Sequence, residues 1–188
     1  PIVHPPVDPV YSDYDLADHR PKTSNLKQAA VLVPLVLRDH GVNVILTRRS
    51  LGLPTHAGQI AFPGGRCEAD DKDVGVTALR EAQEEIGLDP TQVTLIGVSD
   101  AYETVTRFAV TPVIGFVDPA ATFVPDPREV AEIFEVPLSF LMDPVNHVPR
   151  SKDYNGAVRS YYAMPYGEYY VWGATAGMLR ALYLRVFA

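Results

Sequence analysis

The sequence has few of the features that would place a protein in an oxidising compartment, on nucleic acid or in a membrane. Its single cysteine, Cys67, cannot form a disulfide within the chain, so we expect a reducing compartment. Its 23 acidic residues outnumber 16 Lys and Arg, giving a net charge of -7, whereas non-specific nucleic-acid binding needs a basic face. No run approaches the roughly 18 apolar residues of a membrane-spanning helix. Any phosphate-rich ligand must therefore meet positive charge locally.

These absences lead to predictions about location and assembly. We predict a cytoplasmic protein that binds neither nucleic acid nor membrane, as a monomer or homodimer. No secretory signal is visible, but the sequence begins at Pro1, so an upstream targeting segment stays open.

The chain is long enough for one domain. Its 188 residues are 47% hydrophobic, which is sufficient for a sizeable core. Residues 1–28 hold five prolines and no sustained period, so they are predicted to form an N-terminal arm with one short helical turn. Residues 29–188 are predicted to form a single domain.

Two β-branched runs at the start of this domain indicate a hairpin. The runs AAVLVPLVLRD and VNVILTRR flank residues 39–41, whose composition is typical of a tight turn. Pro34 inside the first run indicates an edge strand or a bulge. A short strand, QIAFP, then leads to Gly64 and Gly65.

The rest of the pattern mixes strands with short helices. We predict strands in QVTLIGVSDAY, RFAVTPVIGFV, RSYYAMPY and EYYVW, a loop at 103–106, and short helices in REVAEIF and PLSFLM. A final helix is predicted, with an apolar face formed by Leu179, Leu182, Tyr183 and Val186. This order predicts an α+β sandwich whose sheet has mixed strand directions.

One helix has clear boundaries in the sequence. Apolar residues recur at helical spacing from about residue 73 to residue 86. Asp71 or Asp73 can cap its start, Gly87 is typical of a left-handed stop, and Pro90 prevents continuation.

Three carboxylates share one face of this helix. At about 100° per residue, Glu81, Glu84 and Glu85 lie opposite the apolar stripe. Unpaired, their repulsion would cost a few tenths of a kcal/mol per pair, and a hard divalent cation such as Mg²⁺ or Mn²⁺ would reverse that effect. The alternative, a solvated acidic face with Arg80 bridging to Glu84, stays open from the carboxylates alone. The preceding Gly64–Gly65 pair favours the cation, because glycine lets backbone approach closely.

The glycine pair and the acidic helix together resemble the Nudix box. That box reads Gly, five residues, Glu, seven residues, Arg-Glu, an aliphatic, any residue, Glu-Glu, any residue, Gly, an aliphatic. The stretch REAQEEIGL, residues 80–88, matches its second half, with Ala82 at the aliphatic position. The first half departs, because the sixth residue after Gly65 is Asp71 rather than Glu, and eight residues separate Asp71 from Arg80.

This departure resembles the coenzyme A pyrophosphatase subgroup of the family. The run LTRRSLGLPTHAGQIAFPGG, residues 46–65, is similar to the second signature of that subgroup, except at Pro54, where an arginine often stands. The downstream segments RFAVTPVIGFV, EVAEIFEVPLSFLMDP and YVWGATAGMLRAL are also similar. The resemblance covers roughly residues 29–183 and implies an α/β/α sandwich with a mixed sheet.

The resemblance also implies a metal site on the helix. Glu81 and Glu85 are implied as core ligands of Mg²⁺ or Mn²⁺, Glu84 as a ligand directly or through water, and the Gly64 carbonyl as a further ligand. Arg80 is implied to hold the loop acid and the glutamates in place.

Hydrolysis further requires a proton acceptor and positive charge for the phosphates. The base is either a free helix glutamate or Glu129, which can instead belong to a solvated helix face with Glu132. Arg49 is the main phosphate-binding candidate, and only one of Arg48 and Arg49 can enter the cleft, because they face opposite sides of a strand. Further substrate-binding candidates are Gly64, Gly65, Arg66, Arg107, Tyr102 and Phe108. Both aromatic side chains can stack on an adenine or pack in the core.

The implied reaction is hydrolysis of the pyrophosphate of coenzyme A or acyl-CoA. Its products would be adenosine 3',5'-bisphosphate and 4'-phosphopantetheine or its acyl form. Two alternatives stay open: the same chemistry on ADP-ribose, NADH or another nucleoside diphosphate derivative, and a non-catalytic nucleotide-binding module.

Overall fold

The structure, a computed structural model, describes residues 8–17, 20–21, 24–154 and 157–187. Within these residues nine strands form one mixed sheet and three form a second sheet. The large sheet contains β1 (Tyr11–Ser12), β2 (Lys27–Arg38), β3 (Gly41–Arg49), β4 (Ile60–Ala61), β5 (Gly64–Arg66), β6 (Val93–Val98), β7 (Tyr102–Glu103), β8 (Phe108–Val117) and β9 (Val130–Pro137). The small sheet contains β10 (Val148–Tyr154), β11 (Ala157–Tyr166) and β12 (Tyr169–Trp172). The helices are α1 (Val74–Ile86), α2 (Leu138–Leu141) and α3 (Ala174–Phe187), with 3-10 turns at Pro90–Gln92 and Pro144–Asn146.

The predicted hairpin is present, but its two strands separate along their length. β2 and β3 pair next to the turn, where Arg38 lies opposite Gly41. Farther away, β5 pairs with β2 and β4 pairs with β3, so the connection between β4 and β5 enters the gap. Pro34 lies between the two registers on that side of β2, while β8 pairs with β2 along its other side. β2 is therefore a central strand, and the prediction of an edge strand is wrong. Pro34, which has no N–H to donate, is tolerated at the gap.

The core consists of two apolar clusters on opposite faces of the large sheet. One cluster joins the sheet to α1 through Ala78, Ala82 and Ile86. The other joins it to α3 and the small sheet, with Met164 and Leu179 among its members. β2 contributes buried residues to both clusters, as expected for a strand that is covered on both faces. The expected α/β/α sandwich with a mixed sheet is confirmed.

The segment REVAEIF was predicted as a helix, but from Val130 onward it belongs to strand β9. Val130, Phe134 and Val136 are buried, and the strand pairs antiparallel with β3. Val130, Ile133 and Phe134 satisfy helical spacing, so the local pattern permitted both structures, and pairing with β3 decided between them. Strand β10 was not predicted, whereas PLSFLM forms the predicted short helix α2.

Helix α3 was predicted correctly, and its predicted apolar face in part: Leu179 is buried, Leu182 and Tyr183 are partly buried, and Val186 is not. Val186 is 59% exposed, and the buried residues include the small Ala176, Gly177 and Ala181. A Cβ at Gly177 would lie 2.1 Å from the hydroxyl of Tyr102, so small residues are needed for close packing at this point. Among the described residues, no helix is long and apolar enough to cross a membrane.

The described part of the arm packs on the large sheet. β1 pairs in parallel with β7, and Asp13 accepts hydrogen bonds from the Tyr102 hydroxyl (3.0 Å) and the Val105 amide (2.8 Å). Arg20 donates to Glu103 at 2.8 and 3.0 Å. Hydrogen-bonded turns span residues 12–17, where a short helical turn was expected. The rest of the predicted arm, at 1–7, 18–19 and 22–23, lies outside the described residues.

A buried histidine links α3 to the loop after α2. His147 is 5% exposed; its Nε2 donates to the Leu141 carbonyl at 2.7 Å, and its Nδ1 accepts from Arg180 at 3.3 Å. Burial lowers the pKa of His147, and the Arg180 charge lowers it further, while Asp143 acts in the opposite direction. This packing therefore requires the neutral imidazole.

We expect acid to destabilise the protein through His147. The folded-state pKa of His147 lies below the ordinary 6.5. The contribution of the neutral imidazole to the free energy of unfolding is therefore complete above pH 6.5 and is lost as the pH falls toward the folded-state pKa. One such proton accounts for at most about 1.4 kcal/mol per pH unit. Urea unfolding between about pH 8 and pH 5 should show a shallower pH dependence for His147→Gln than for wild type. The exposed His40→Gln variant is the control, and a wild-type slope in His147→Gln would contradict the prediction.

Candidate active site

Helix α1 places its three glutamates in three different environments. Asp73 caps its start by accepting from the amides of Gly75 and Val76, and Gly87 ends it in the left-handed conformation, at φ 65°. The side chain of Glu85 is 5% exposed, that of Glu81 16% and that of Glu84 59%. Glu81 and Glu85 therefore face the protein, whereas Glu84 lies at the solvent edge of the cluster.

The glycine pair of β5 lies directly against these carboxylates. A Cβ at Gly65 would lie 2.5 Å from the carboxylate atoms of Glu81. The Gly64 amide donates to Glu85 Oε2 at 3.2 Å, and a Cβ at Gly64 would lie 2.5 Å from the Ala30 carbonyl. The sequence predicted close backbone approach here, and the structure adds that both glycines belong to a strand paired with β2.

Arg80 joins the loop before α1 to the glutamates. Its Nε and Nη2 donate to the two oxygens of Asp71 at 3.2 and 3.0 Å, and its Nη1 donates to Glu81 at 2.9 Å and to Glu84 at 3.4 Å. Arg80 holds the pKa of the Asp71 carboxyl well below its usual range. Asp71 also accepts from the Thr77 hydroxyl. The aspartate that stands where the box has a glutamate is therefore held by hydrogen bonds in this chain.

The two consecutive arginines of β3 point to opposite sides, as expected. Arg49 Nη1 lies 3.7 Å from Glu85 Oε1, which brings Arg49 to the carboxylates. Arg48 instead lies 3.1 Å from Glu132 and stacks over the Tyr169 ring, 5.3 Å from its centroid. Arg48 therefore connects the large sheet to the small one rather than entering the site.

Glu129 acts on the same cluster through its charge, from the segment before β9. Its negative charge contributes to raising the pKa of both Glu81 and Glu85. Its carbonyl accepts from the Ser50 amide at 2.8 Å, next to Arg49. Residues from Val130 onward form a strand, so Glu129 does not lie on a helix. It is an exposed residue of the turn before that strand, and its catalytic role stays a prediction.

Glu85 has the ionisation behaviour of a buried group in an acidic cluster. Burial raises its pKa to about 7, Glu129 and Glu81 add to the rise, and the Gly64 amide and Arg49 oppose it. Burial is also the main cause of the raised pKa of Glu81. A cation beside these groups would remove the repulsion.

The chemistry of these donors suits a hard divalent cation. Carboxylate and backbone oxygens are the ligands that Mg²⁺ and Mn²⁺ prefer, and the space left by Gly65 gives backbone access to Glu81. Among the described residues, no three acidic, His or Cys side chains already stand close enough to hold a metal. Arg80 and Arg49 instead contact Glu81 and Glu85. Metal ligation by Glu81, Glu84, Glu85 and the Gly64 carbonyl stays a prediction.

Three candidates from the sequence lie outside this cluster. Tyr102 is 4% exposed, donates to Asp13 and packs against Gly177, so of its two alternatives the structure gives it the core position. Phe108 packs against the same apolar cluster. Arg66 has an exposed side chain and contributes its carbonyl to Arg80 at 3.1 Å.

The sequence did not reveal how the end of α1 is held. Val124 and Asp126 donate their amides to the carbonyls of Ile86 and Glu85, both at 2.9 Å. These contacts cross about 40 positions of sequence. The Asp-Pro pair at 126–127, typical of a turn, was the only available signal.

This combination of a mixed-sheet sandwich and a carboxylate-bearing helix against a glycine strand defines a class of phosphate-cleaving enzymes. Comparison with known proteins identifies the family. Residues 26–154 match the NUDIX domain. The chain is 41% identical over 165 residues to a Citrobacter koseri protein named Uncharacterized Nudix hydrolase NudL, covering 88% of this chain and 85% of that protein. A protein of the same name from Shigella boydii serotype 4 is 40% identical over 165 residues, which again cover 88% of this chain and 85% of that protein.

Solved structures agree with this assignment. A Nudix hydrolase from M. smegmatis, RenU, has a TM-score of 0.51 at 25% identity, covering 60% of this chain and 71% of that one. A C. elegans Ap4A hydrolase binary complex has a TM-score of 0.52 at 18% identity, covering 59% and 80% respectively, a likeness of fold alone. The chain belongs to the Nudix family. It is a pyrophosphohydrolase of small-molecule nucleotide derivatives, in a family that generally requires divalent cations.

Filling the space at Gly65 should disturb catalysis more than folding. In Gly65→Ala the new Cβ displaces the flexible end of Glu81, so we expect at least roughly a 10-fold loss of turnover with a nearly unchanged melting temperature. Gly97→Ala is the matched control, because a Cβ there meets nothing within 4 Å. Steady-state kinetics and thermal melts measure both effects. Equal turnover of the two variants would show that the approach of Gly65 to Glu81 is unimportant.

Proposed function

We propose that this Nudix hydrolase cleaves the pyrophosphate of coenzyme A or acyl-CoA with Mg²⁺ or Mn²⁺, in the cytoplasm. The products are adenosine 3',5'-bisphosphate and 4'-phosphopantetheine or its acyl form. The observation that carries the reaction is the placement of Glu81 and Glu85 against the glycine strand β5, with Arg49 next to Glu85.

The preference for coenzyme A rests on the signature segment at 46–65. Both ends of this segment lie in the site, one at Arg49 and the other at Gly64–Gly65. Between them, backbone bonds of Arg49 with Gln59 and Gly58 close a loop that is largely exposed, with Leu51 80% exposed. The segment that resembles the subgroup is therefore a loop that projects from the site, where it can contact the part of a substrate beyond the diphosphate.

The residues of this chain have separable roles in the proposed reaction. A bound divalent cation supplies positive charge to the phosphoryl oxygens and acidifies water. Glu81 and Glu85, with Glu84 at the edge, hold that cation, and Arg80 orients Glu81 from the Asp71 side. Arg49 offsets phosphate charge, and Glu129 accepts the proton of the attacking water.

A second candidate is the same reaction on ADP-ribose, NADH or another nucleoside diphosphate derivative. Pro54 favours this alternative, because it replaces the arginine often found in the subgroup signature. A non-catalytic module is not retained, because the chain is a Nudix hydrolase with all three helix glutamates present.

Neutralising the most buried glutamate of α1 should abolish most activity. Glu85→Gln removes a proposed ligand charge at nearly the same volume, and losing several kcal/mol of metal-dependent stabilisation corresponds to about 100-fold or more in kcat. Glu84→Gln should lose less, since its side chain is 59% exposed. Glu168→Gln, at 78% exposure and away from the site, is the control. Wild-type turnover in a folded Glu85→Gln would contradict the metal assignment.

A substrate comparison separates the two candidates. Hydrolysis of coenzyme A, its 3'-dephospho form and ADP-ribose should be measured with Mg²⁺ and with Mn²⁺, and the products identified by mass spectrometry. We expect coenzyme A to have the highest kcat/KM, with cleavage between the two phosphorus atoms. If the 3'-phosphate confers no preference, the coenzyme A assignment fails while the Nudix reaction stands.

A further inference from the structure

The segment at 124–130, which we call the clamp turn, connects three parts of the site. Through the amides of Val124 and Asp126 it bonds to the last carbonyls of α1, at Ile86 and Glu85. Through the Glu129 carbonyl it bonds to the Ser50 amide at the end of β3. The clamp turn therefore fixes Glu129 relative to both the helix glutamates and Arg49.

Within the clamp turn, Asp126 accepts the hydrogen bonds of all the amides that follow it. The Asp126 carbonyl accepts from the amides of Glu129 (3.0 Å) and Val130 (2.8 Å), and its Oδ1 accepts from the amide of Arg128 (2.9 Å). Pro127 has no amide hydrogen to satisfy. Every N–H between residues 127 and 130 is thus accepted by Asp126, whose own amide is bonded to Glu85.

The Asp126 side chain is also shielded, although its ionic partner is not. Its side chain is 18% exposed, whereas that of Arg128 is 86% exposed. Exposed ion pairs contribute little, so the bond to the Arg128 amide is the contact by which the side chain orders the turn. Pro125 and Pro127 restrict the backbone on both sides of Asp126.

We propose that Asp126 is a positioning residue that holds Glu129 against the catalytic face of α1. This inference rests on the proton-accepting role proposed for Glu129. Asp126 acts through backbone geometry: its side chain closes the turn, the turn sets the start of β9, and the Glu129 backbone is held at Ser50, next to Arg49. Removing the side-chain acceptor frees the Arg128 amide and lets Glu129 move, while α1 keeps its own cap at Gly87.

The test uses the full chain with coenzyme A and Mg²⁺. Asp126→Ala should lower kcat by roughly 10-fold or more and change KM by less than about 3-fold, because the base is misplaced while the phosphate contacts remain. Asp126→Asn keeps the acceptor oxygen and should retain kcat within about 3-fold of wild type. Asp126→Glu keeps the charge, but its longer side chain moves the carboxylate away from the Arg128 amide, so its kcat should fall by the amount expected for Asp126→Ala. This variant provides the test if Asp126→Ala folds poorly.

The matched control is Asp118→Ala. Asp118 begins a second Asp-Pro turn, in which its Oδ1 accepts from the Ala120 amide at 2.8 Å, and it lies outside the site. This variant should keep wild-type kcat. If Asp118→Ala and Asp126→Ala lose activity equally, the effect is general loosening and the proposal is overturned.

Combination with Glu129→Gln separates this inference from the proposed function. If Asp126 works through Glu129, Asp126→Ala should lower kcat in the wild-type background but add no further loss to Glu129→Gln. Additive losses, or unchanged kcat in a folded Asp126→Ala, overturn the positioning role. Wild-type kcat in Glu129→Gln instead removes the proposed role of Glu129 itself.

Discussion

The contact between the glycine strand and the acidic face of α1 is the constraint on which the site depends. Gly65 leaves the space that Glu81 occupies, and Gly64 donates its amide to Glu85. This approach is possible because β2 and β3 separate, so that β4 and β5 with their short connection fill the gap between them. The same separation explains how a central strand tolerates Pro34. The separation of β2 and β3 therefore determines both the strand pairing and the position of the glycine pair in the site.

The chain holds its acidic cluster with cations that come from different elements. Arg80, on the helix itself, engages Asp71, Glu81 and Glu84, whereas Arg49 approaches Glu85 from β3. Arg49 opposes the like-charge repulsion on Glu85, but burial outweighs it and raises the pKa of Glu85 to about 7. The net charge of -7 is compatible with the proposed phosphate binding, because Arg49 supplies positive charge locally.

Local patterns in the sequence were sufficient for α1 and for the hairpin. The stop at Gly87, the carboxylates on one face, and the opposite orientation of Arg48 and Arg49 follow from residue spacing alone. Of the two N-cap candidates, Asp71 and Asp73, the structure selects Asp73. Local patterns were insufficient for β9, where Val130, Ile133 and Phe134 suit a helix equally well. They were also insufficient for Tyr102, because an aromatic residue on a strand shows the same pattern whether it faces a ligand or α3.

By itself, the sequence determined which groups are available for catalysis and how they are spaced along α1, since helical periodicity acts over a few residues. Only the tertiary structure decided which distant groups join them. The clamp turn, for example, meets the end of α1 across about 40 positions, and its hydrogen bonds form between backbone atoms that carry no residue-specific signal. The position of Glu129 thus depends on chain folding, whereas the grouping of Glu81, Glu84 and Glu85 depends on helix geometry alone.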